Sequence, residues 1–173
     1  MKRNFKPYLN PVFIETGTGG GDGILAALKC GFKKVISIEV DESLYQLCRG
    51  KFKLNDKVTV YLGDSIDVLP KILKGIDKRC TFWLDGHYSG EGTGYGKEYV
   101  PLMEELKIIA QHHIKNHTLL LDDMRLLRTH TAEWKDLKYS IEDVEKMIYS
   151  INPNYKITYA FGVVPNDILI AQV

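Results

Sequence analysis

Short apolar runs alternate with segments of helical periodicity along most of the chain. The run from Pro11 to Glu15 is followed by a helical stripe of Ile24, Leu25 and Leu28 that stops at Gly31. Strands are predicted over residues 11–15, 34–39, 57–62, 80–85 and 117–122, with apolar positions at helical spacing after each of the first four. Such alternation predicts right-handed crossovers and a parallel sheet covered by helices on both faces.

The C-terminal part departs from this alternation. Ser140 is placed to cap a helix whose apolar positions recur every three or four residues up to Ile151. Two further apolar runs, 155–161 and 167–173, are separated only by Gly162 to Asn166, which suits a hairpin and leaves no room for a crossover helix. We therefore predict a single α/β domain over residues 1–173, a Rossmann-like doubly wound parallel sheet ending in an antiparallel strand pair.

Charge and cysteine content narrow the function classes. The 23 Lys and Arg residues nearly balance the 22 Asp and Glu residues, which argues against nucleic acid as a partner bound by broad phosphate neutralisation. No apolar run approaches the ~18 residues of a membrane span, and no secretory signal is recognisable. The three cysteines lack metal-type spacing and are interpreted as buried thiols in a reducing compartment. We expect a cytoplasmic protein.

Carboxylates stand at the ends of the predicted parallel strands. Glu15, Glu39, Asp85 and Asp122 end four of them, and Asp64 follows the remaining one closely. In open parallel sheets the ligand lies outside the carboxyl ends of the strands, where the strand order switches. The sequence therefore predicts a ligand site at this edge.

A glycine-rich turn from Glu15 to Gly23 links the first strand to the first helix. Glycines allow a sharp turn and let a ligand approach the backbone closely. A carboxylate after the second strand, here Glu39, commonly binds the ribose hydroxyls of a nucleoside cofactor. The turn is thus interpreted as part of a cofactor site, with a merely flexible turn as the alternative.

A nicotinamide cofactor fits this turn poorly. Counted from Gly17, the GxGxxG pattern has Asp22 in place of its last glycine, whereas counted from Gly21 it begins six residues after Glu15. Glu15 and Asp22 would also place negative charge beside a pyrophosphate. A cofactor with a sulfonium and an amino group suits an acidic turn better, which favours S-adenosylmethionine over NAD.

These features resemble class I S-adenosylmethionine-dependent methyltransferases. The resemblance is carried by the motif from Glu15 to Gly21, by Glu39, by Gly63-Asp64-Ser65 and by the terminal antiparallel pair. It implies the class I methyltransferase fold, with Glu39 at the ribose and Asp64, followed by Ser65, at the adenine amino group. The residues it places against the methionine part of the cofactor include Glu15, Thr16, Gly17, Thr18, Gly19 and Gly21. The extra glycines up to Gly23 depart from the pattern and leave individual glycine contacts open.

The fourth strand ends in Trp83-Leu-Asp-Gly-His-Tyr88, without the prolines of the motif found in methyltransferases of base amino groups. The expected strand order brings Asp85 to one edge with Asp122 and Asp123, and three carboxylates there suit Mg²⁺. This resembles metal-dependent O-methyltransferases of the catechol and macrocin-type sugar classes. His87 would then remove the hydroxyl proton. Helix capping and a metal-free acceptor role are the alternatives for Asp122 and Asp123.

The glycine-rich loop over residues 86–97 is interpreted as a lid over the acceptor, with Tyr88, Glu91 and Tyr95 as contacts. Arg125, Arg128 and Trp134 could line the acceptor pocket. We expect a methyltransferase that O-methylates a hydroxyl of a sugar or other small molecule with Mg²⁺ assistance, and a homodimer is compatible with the chain. An NAD-linked oxidoreductase and a non-catalytic nucleoside-binding module are the other hypotheses.

Overall fold

The structure is a computed structural model that describes residues 4–90, 92–129 and 137–173. The strands are β1 (Val12–Thr16), β2 (Lys34–Glu39), β3 (Val58–Leu62), β4 (Cys80–Leu84), β5 (Thr118–Leu121), β6 (Lys156–Ala160) and β7 (Ile168–Gln172). The helices are α1 (Asp22–Cys30), α2 (Glu42–Phe52), α3 (Ser65–Leu73), α4 (Leu102–Gln111), α5 (Met124–Thr129) and α6 (Ile141–Ile151), and a short 3₁₀ helix spans Lys6–Tyr8.

The seven strands form one sheet in the order β3-β2-β1-β4-β5-β7-β6. Strands β1 to β5 are parallel, β7 runs antiparallel to β5, and β6 pairs antiparallel with β7. This confirms the predicted doubly wound sheet and its terminal hairpin. The chain builds outward from β1 to β3 and returns to the other side of β1 at β4, so the strand order switches between β1 and β4.

Helices cover both faces of the sheet because successive strand residues point to opposite sides. Ile14 packs with the buried residues of α3, α4, α5 and α6. Its neighbour Phe13 packs on the other face with α1 and α2, and its ring lies 5.1 Å from that of Phe32. Burial of side chains of this size contributes about 1.5–3 kcal/mol each. Two packed layers thus hold the carboxyl ends of β1 and β4 in place.

The predicted start of the last helix is also confirmed. The Ser140 side chain accepts a hydrogen bond from the Asp143 backbone N–H, and the Asp143 carboxylate accepts one from the Ser140 backbone N–H. This reciprocal capping satisfies two backbone donors that the helix itself cannot.

Two buried histidines form a hydrogen-bonded chain at the edge of the sheet opposite the strand carboxyl ends. His117 Nδ1 accepts the Cys80 backbone N–H at 3.0 Å, so a neutral His117 carries its proton on Nε2 and donates to His112 Nδ1 at 2.9 Å. His112 Nε2 then donates to the Ile76 carbonyl at 3.1 Å. Every ring nitrogen in this chain has a partner, so the two histidines hold β4, β5 and the end of α4 together at this edge.

We expect the free energy of unfolding to fall as the pH drops below about 6.5. Burial, with the neighbouring His112 and Arg79, lowers the pKa of His117 to about 3, so below its ordinary pKa the unfolded chain takes up a proton that the folded chain refuses. Between pH 6.5 and pH 4.5 this costs roughly 2 kcal/mol. Urea titrations of wild type, His117→Gln and the exposed-site control His113→Gln measure it. An equal pH slope in wild type and His117→Gln would contradict the assignment.

Candidate cofactor and acceptor site

A cavity of about 300 Å³ lies at the switch point, beyond the carboxyl ends of β1, β2 and β4. Of the predicted cofactor residues, those that line it are Gly17, Thr18, Gly19, Glu39 and Ser65. Asp85 and His87 also line it, so the structure brings the predicted catalytic pair to the cofactor cavity. Its other lining residues are Gly20, Asp22, Ile38, Val40, Gly63, Gly86, Ser89, Thr93 and Gly94.

Close packing at the glycine-rich turn explains two of its glycines. Gly17 has a φ of 80°, and a Cβ there would lie 2.9 Å from the Asp85 carbonyl carbon and closer still to its oxygen. Gly23, in the first turn of α1, packs directly on the Glu15 carboxylate, where a Cβ would overlap it. A side chain is therefore excluded at Gly17 by the backbone just after β4 and at Gly23 by Glu15. Gly20, by contrast, has open space.

A buried hydroxyl relay lies behind the turn. The Ser37 hydroxyl donates to Glu15 Oε2 at 2.7 Å, and its oxygen is 2.6 Å from the Thr18 hydroxyl, which must then donate to it. Glu15 and Ser37 are fully buried. Glu15 and its neighbour Thr16 are thus placed behind the cavity wall, where Glu15 fixes the turn through Ser37 and Thr18. Gly21, the last glycine of the predicted motif, packs against Cys48 and Phe52 of α2.

Glu39 is buried at the end of β2 and anchors two neighbouring segments. Its Oε2 accepts the Gly19 backbone N–H at 3.0 Å, and its Oε1 accepts the Asp41 backbone N–H at 2.9 Å. Each carboxylate oxygen can accept two hydrogen bonds and here accepts one from the protein, so both can accept another from a ligand. Glu39 therefore holds a negative charge at a fixed point of the cavity wall.

Asp64 caps α3 and does not line the cavity. Its Oδ1 accepts the Ile66 backbone N–H at 2.8 Å, and its Oδ2 accepts that of Lys97 at 2.6 Å. Ser65, the first residue of α3, is buried and faces the cavity. The motif after β3 thus reaches the cavity through Gly63 and Ser65, while the Asp64 carboxylate is held by its own helix and by the glycine-rich loop.

The glycine-rich loop lies over the cofactor cavity, with Ser89, Thr93 and Gly94 in its wall. Gly94 packs against Val40 and Asp41, where a Cβ would lie 2.8 Å from the Asp41 nitrogen. The predicted lid is therefore placed across the cofactor side of the site. The Tyr88 and Tyr95 rings of the loop pack edge to face with each other and with the Tyr99 ring beyond it, at 4.7 to 5.7 Å between centroids. The predicted contact Glu91 lies outside the described residues.

His87 stands between two carboxylates. Its Nε2 is 3.0 Å from Asp123 Oδ2, and its Nδ1 is 3.7 Å from Asp85 Oδ1. The Ser89 hydroxyl is 2.9 Å from the same Nε2. Asp85 in turn accepts a hydrogen bond from the Trp83 ring at 3.3 Å. This arrangement can orient an imidazole, stabilise its protonated form or offer nitrogen and oxygen ligands to a cation.

The predicted carboxylate trio is divided between two groups. Asp85 and Asp123 offer ligand atoms within 4.8 Å together with His87, whereas Asp122 does so with Asp123 and Asp167. Asp123 has a φ of 63°, which aims its carboxylate at His87 and Arg125.

Arg125 also pairs with Asp167 at 2.6 Å. Asp167, fully buried at the start of β7, accepts the Arg125 backbone N–H at the beginning of α5. Asp167 therefore caps the helix, and the Asp122 carboxylate accepts the backbone N–H of Asp123 just before it at 2.9 Å, so capping stays an alternative role for Asp122. Arg128 donates to the Asn166 carbonyl and so ties α5 to the hairpin. The predicted pocket residue Trp134 lies outside the described residues.

Glu105 is a buried carboxyl group that the sequence analysis did not single out. It lies on α4 beside Thr16 and Gly86, and burial raises its pKa to about 7 against the opposing effect of the Ser65 and Thr16 hydroxyls. The sequence does indicate a buried carboxyl group here, because position 105 lies on the same helix face as the apolar residues Leu102, Leu106 and Ile109. Ser37 carries no such signal, since one small polar residue in a buried strand is unremarkable.

The sheet order, the glycine-rich turn after β1 and the acidic residue after β2 define the class I methyltransferase fold. The O-methyltransferase of Bacillus cereus, solved with S-adenosylhomocysteine, superposes with a TM-score of 0.67 at 15% identity over 98% of this chain and 77% of that one. The O-methyltransferase TomG of tomaymycin synthesis from Streptomyces achromogenes, solved with S-adenosylmethionine, gives 0.64 at 14% identity over 98% and 75%. The methyltransferase domain of a bacterial Hen1 gives 0.57 at 13% identity over 98% and 93%.

These structural similarities confirm the predicted fold. No protein-family model and no curated protein sequence matches the chain. Among the helices of the described residues, none is long and apolar enough to cross a membrane.

Proposed function

We propose that the protein is an S-adenosylmethionine-dependent methyltransferase. The observation that carries this is the charge of the cofactor cavity: its described lining includes the carboxylates of Asp22, Glu39 and Asp85 and no lysine or arginine. A pyrophosphate would meet repulsion there, whereas a sulfonium and an ammonium group would be stabilised. The glycine-lined wall at Gly17, Gly19 and Gly20 and the buried Glu39 carboxylate fit such a cofactor.

The chain's own residues suit O-methylation of a small-molecule hydroxyl. Bound S-adenosylmethionine supplies an electrophilic methyl group on its sulfonium. Glu39 would accept hydrogen bonds from the ribose hydroxyls, and the turn from Gly17 to Gly19 would hold the methionine part. His87 would take the hydroxyl proton of the acceptor at Nδ1 as the oxygen–carbon bond forms and the carbon–sulfur bond breaks, because its Nε2–H donates to Asp123. Asp123 and Asp85 would orient the ring and stabilise its positive charge.

A cation at this site would lower the pKa of the acceptor hydroxyl and hold it in place. Asp85 and Asp123 fit Mg²⁺ as oxygen ligands, while inclusion of His87 would favour Mn²⁺ or another transition metal. Asp123 already pairs with Arg125, so its carboxylate would be shared between the guanidinium and the metal. The proposal includes Mg²⁺ assistance through Asp85, Asp122 and Asp123. Single substitutions test which of these three carboxylates bind the cation.

We expect the heat of metal binding to depend on Asp85 more than on Asp122. Calorimetric titration with Mn²⁺, and separately with Mg²⁺, should lose its heat in Asp85→Ala and in Asp123→Asn but keep it in Asp122→Ala, because Asp85 and Asp123 share one group of ligand atoms with His87. Loss of the heat in Asp122→Ala and Asp123→Asn, with the heat kept in Asp85→Ala, would place the cation at the group formed with Asp167 instead. Absence of heat in the wild type would make the site metal-free.

The cofactor assignment is tested by titrating S-adenosylhomocysteine and NADH in parallel. We expect micromolar binding of S-adenosylhomocysteine and at least about 100-fold weaker binding of NADH, a difference of about 2.7 kcal/mol. Preferential binding of NADH would support the oxidoreductase hypothesis. Binding of S-adenosylhomocysteine without turnover of any hydroxylated acceptor would support the non-catalytic binding module. The apparent mass on gel filtration, compared with the 19.7 kDa of one chain, shows whether the protein is a homodimer.

A further inference from the structure

A second and larger cavity, of about 810 Å³, opens beside the cofactor cavity. It is a groove between α1 and the hairpin that joins β6 to β7. Asp22 lines both cavities, so the start of α1 lies between them. The described residues that line the groove are Asn4, Lys6, Asp22, Leu25, Ala26, Lys29, Cys30, Trp83, Asp122, Gly162, Val163 and Ile168.

The groove is acidic at one end and basic at the other. Asp22 and Asp122 lie at the carboxyl edge of the sheet, close to the proposed chemistry. Lys29, in the last turn of α1, and Lys6, in the 3₁₀ helix, lie at the far end. Asp22 and Lys29 are seven positions apart on one helix, which separates the two ends by roughly 10 Å.

Apolar side chains form the stretch between these ends. Leu25 and Ala26 of α1 make one wall, and Val163 and Ile168 of the hairpin make the other. The Trp83 ring lies at the base of the groove with 2% of its surface exposed, and its centroid is 5.1 Å from that of the Phe5 ring. Because the Trp83 ring nitrogen donates to Asp85, the base of the groove is joined by a hydrogen bond to the site at His87.

We propose that this groove binds the methyl acceptor and that the acceptor is an elongated amphipathic anion. Its hydroxyl would lie at the Asp122 end beside His87, its apolar or aromatic body would cover Trp83, and a carboxylate, sulfate or phosphate would meet Lys6 and Lys29. A bare sugar would leave the apolar walls without a matching surface. This inference rests on the proposed function for the identity of the ligand as an acceptor, but the recognition of an amphipathic anion can be measured independently.

Two naphthalene dyes provide matched probes. 1-Anilinonaphthalene-8-sulfonate and N-phenyl-1-naphthylamine share the aromatic body, and only the first carries a sulfonate. In fluorescence titrations the double variant Lys6→Gln/Lys29→Gln should bind the sulfonate about tenfold more weakly, while its affinity for the neutral dye changes less than twofold. Lys71→Gln, on the opposite face of the sheet, is the charge control. Ala26→Leu, which fills the groove, should weaken both dyes.

Cys30 gives a second readout, because it is the partly exposed one of the three free cysteines and lines the groove. The sulfonate dye should slow its alkylation by iodoacetamide. Equal losses of both dyes in the lysine variant, or loss of dye binding in the exposed-site control Leu54→Ser, would overturn the proposal. S-adenosylhomocysteine is titrated into the same samples. If S-adenosylhomocysteine binds but the lysine variant does not distinguish the two dyes, the groove proposal is wrong and the methyltransferase proposal stands. If the lysine variant distinguishes the dyes but S-adenosylhomocysteine does not bind, the methyltransferase proposal is wrong and the recognition of an amphipathic anion stands.

Discussion

Replacing Gly17 with alanine is expected to abolish measurable binding of S-adenosylhomocysteine, a loss of at least about 100-fold. Gly17 has a φ of 80°, which costs an alanine about 1–2 kcal/mol. The added Cβ would also overlap the carbonyl group of Asp85, and this neighbour is backbone that no side-chain rotation can move away. The end of β4 would have to shift, and with it the Asp85 carboxylate.

Gly20→Ala provides the matched control in the same turn. A Cβ at Gly20 has no atom within 4 Å, and its backbone does not lie in the left-handed region. Calorimetric titration should therefore give a much smaller loss of affinity for Gly20→Ala, which lines the cavity without overlapping the backbone, than for Gly17→Ala, and circular dichroism reports whether Gly17→Ala stays folded. Similar affinities for both variants would mean that the turn does not pack against β4 when the cofactor is bound.

The parallel strands were predictable because each apolar run ends at a carboxylate or a glycine. The second strand was predicted over the same residues that form Lys34–Glu39, and the capping Ser140 was also identified correctly. Helix α5 was not predicted, because its six residues are too few for a periodic pattern and its first backbone N–H groups are satisfied by Asp167, which lies 42 residues further along the chain from Arg125.

The positions of the candidate site residues likewise depend partly on the local sequence and partly on contacts between distant parts of the chain. Glu39 and Asp85 could be placed from the sequence because they follow strands whose carboxyl ends share one edge of the sheet. The grouping of the carboxylates could not be placed, because it depends on the left-handed backbone of Asp123 and on its pairing with Arg125. The charge polarity of the groove was equally hidden, since Lys6, Lys29 and Asp122 line one groove only in the folded chain.

Glu39 links the glycine-rich turn to the start of α2, because its two carboxylate oxygens accept the Gly19 and Asp41 backbone N–H groups. Glutamine at this position keeps the shape of the side chain but turns one of its two acceptors into a donor. Either the Gly19 or the Asp41 backbone N–H then loses its partner, at a cost of about 1–3 kcal/mol. Alanine removes both hydrogen bonds and the charge.

We therefore expect Glu39→Gln to weaken S-adenosylhomocysteine binding about tenfold and Glu39→Ala about 100-fold, while the exposed Glu42→Gln leaves it unchanged. Adenosine and 2′,3′-dideoxyadenosine separate a ribose contact from a structural effect. Wild type should prefer adenosine, and both Glu39 variants should bind the two nucleosides equally. A preference that survives in Glu39→Ala would assign the ribose to another residue and leave Glu39 as a support of the turn, because a group that only positions Gly19 would weaken both nucleosides by the same factor.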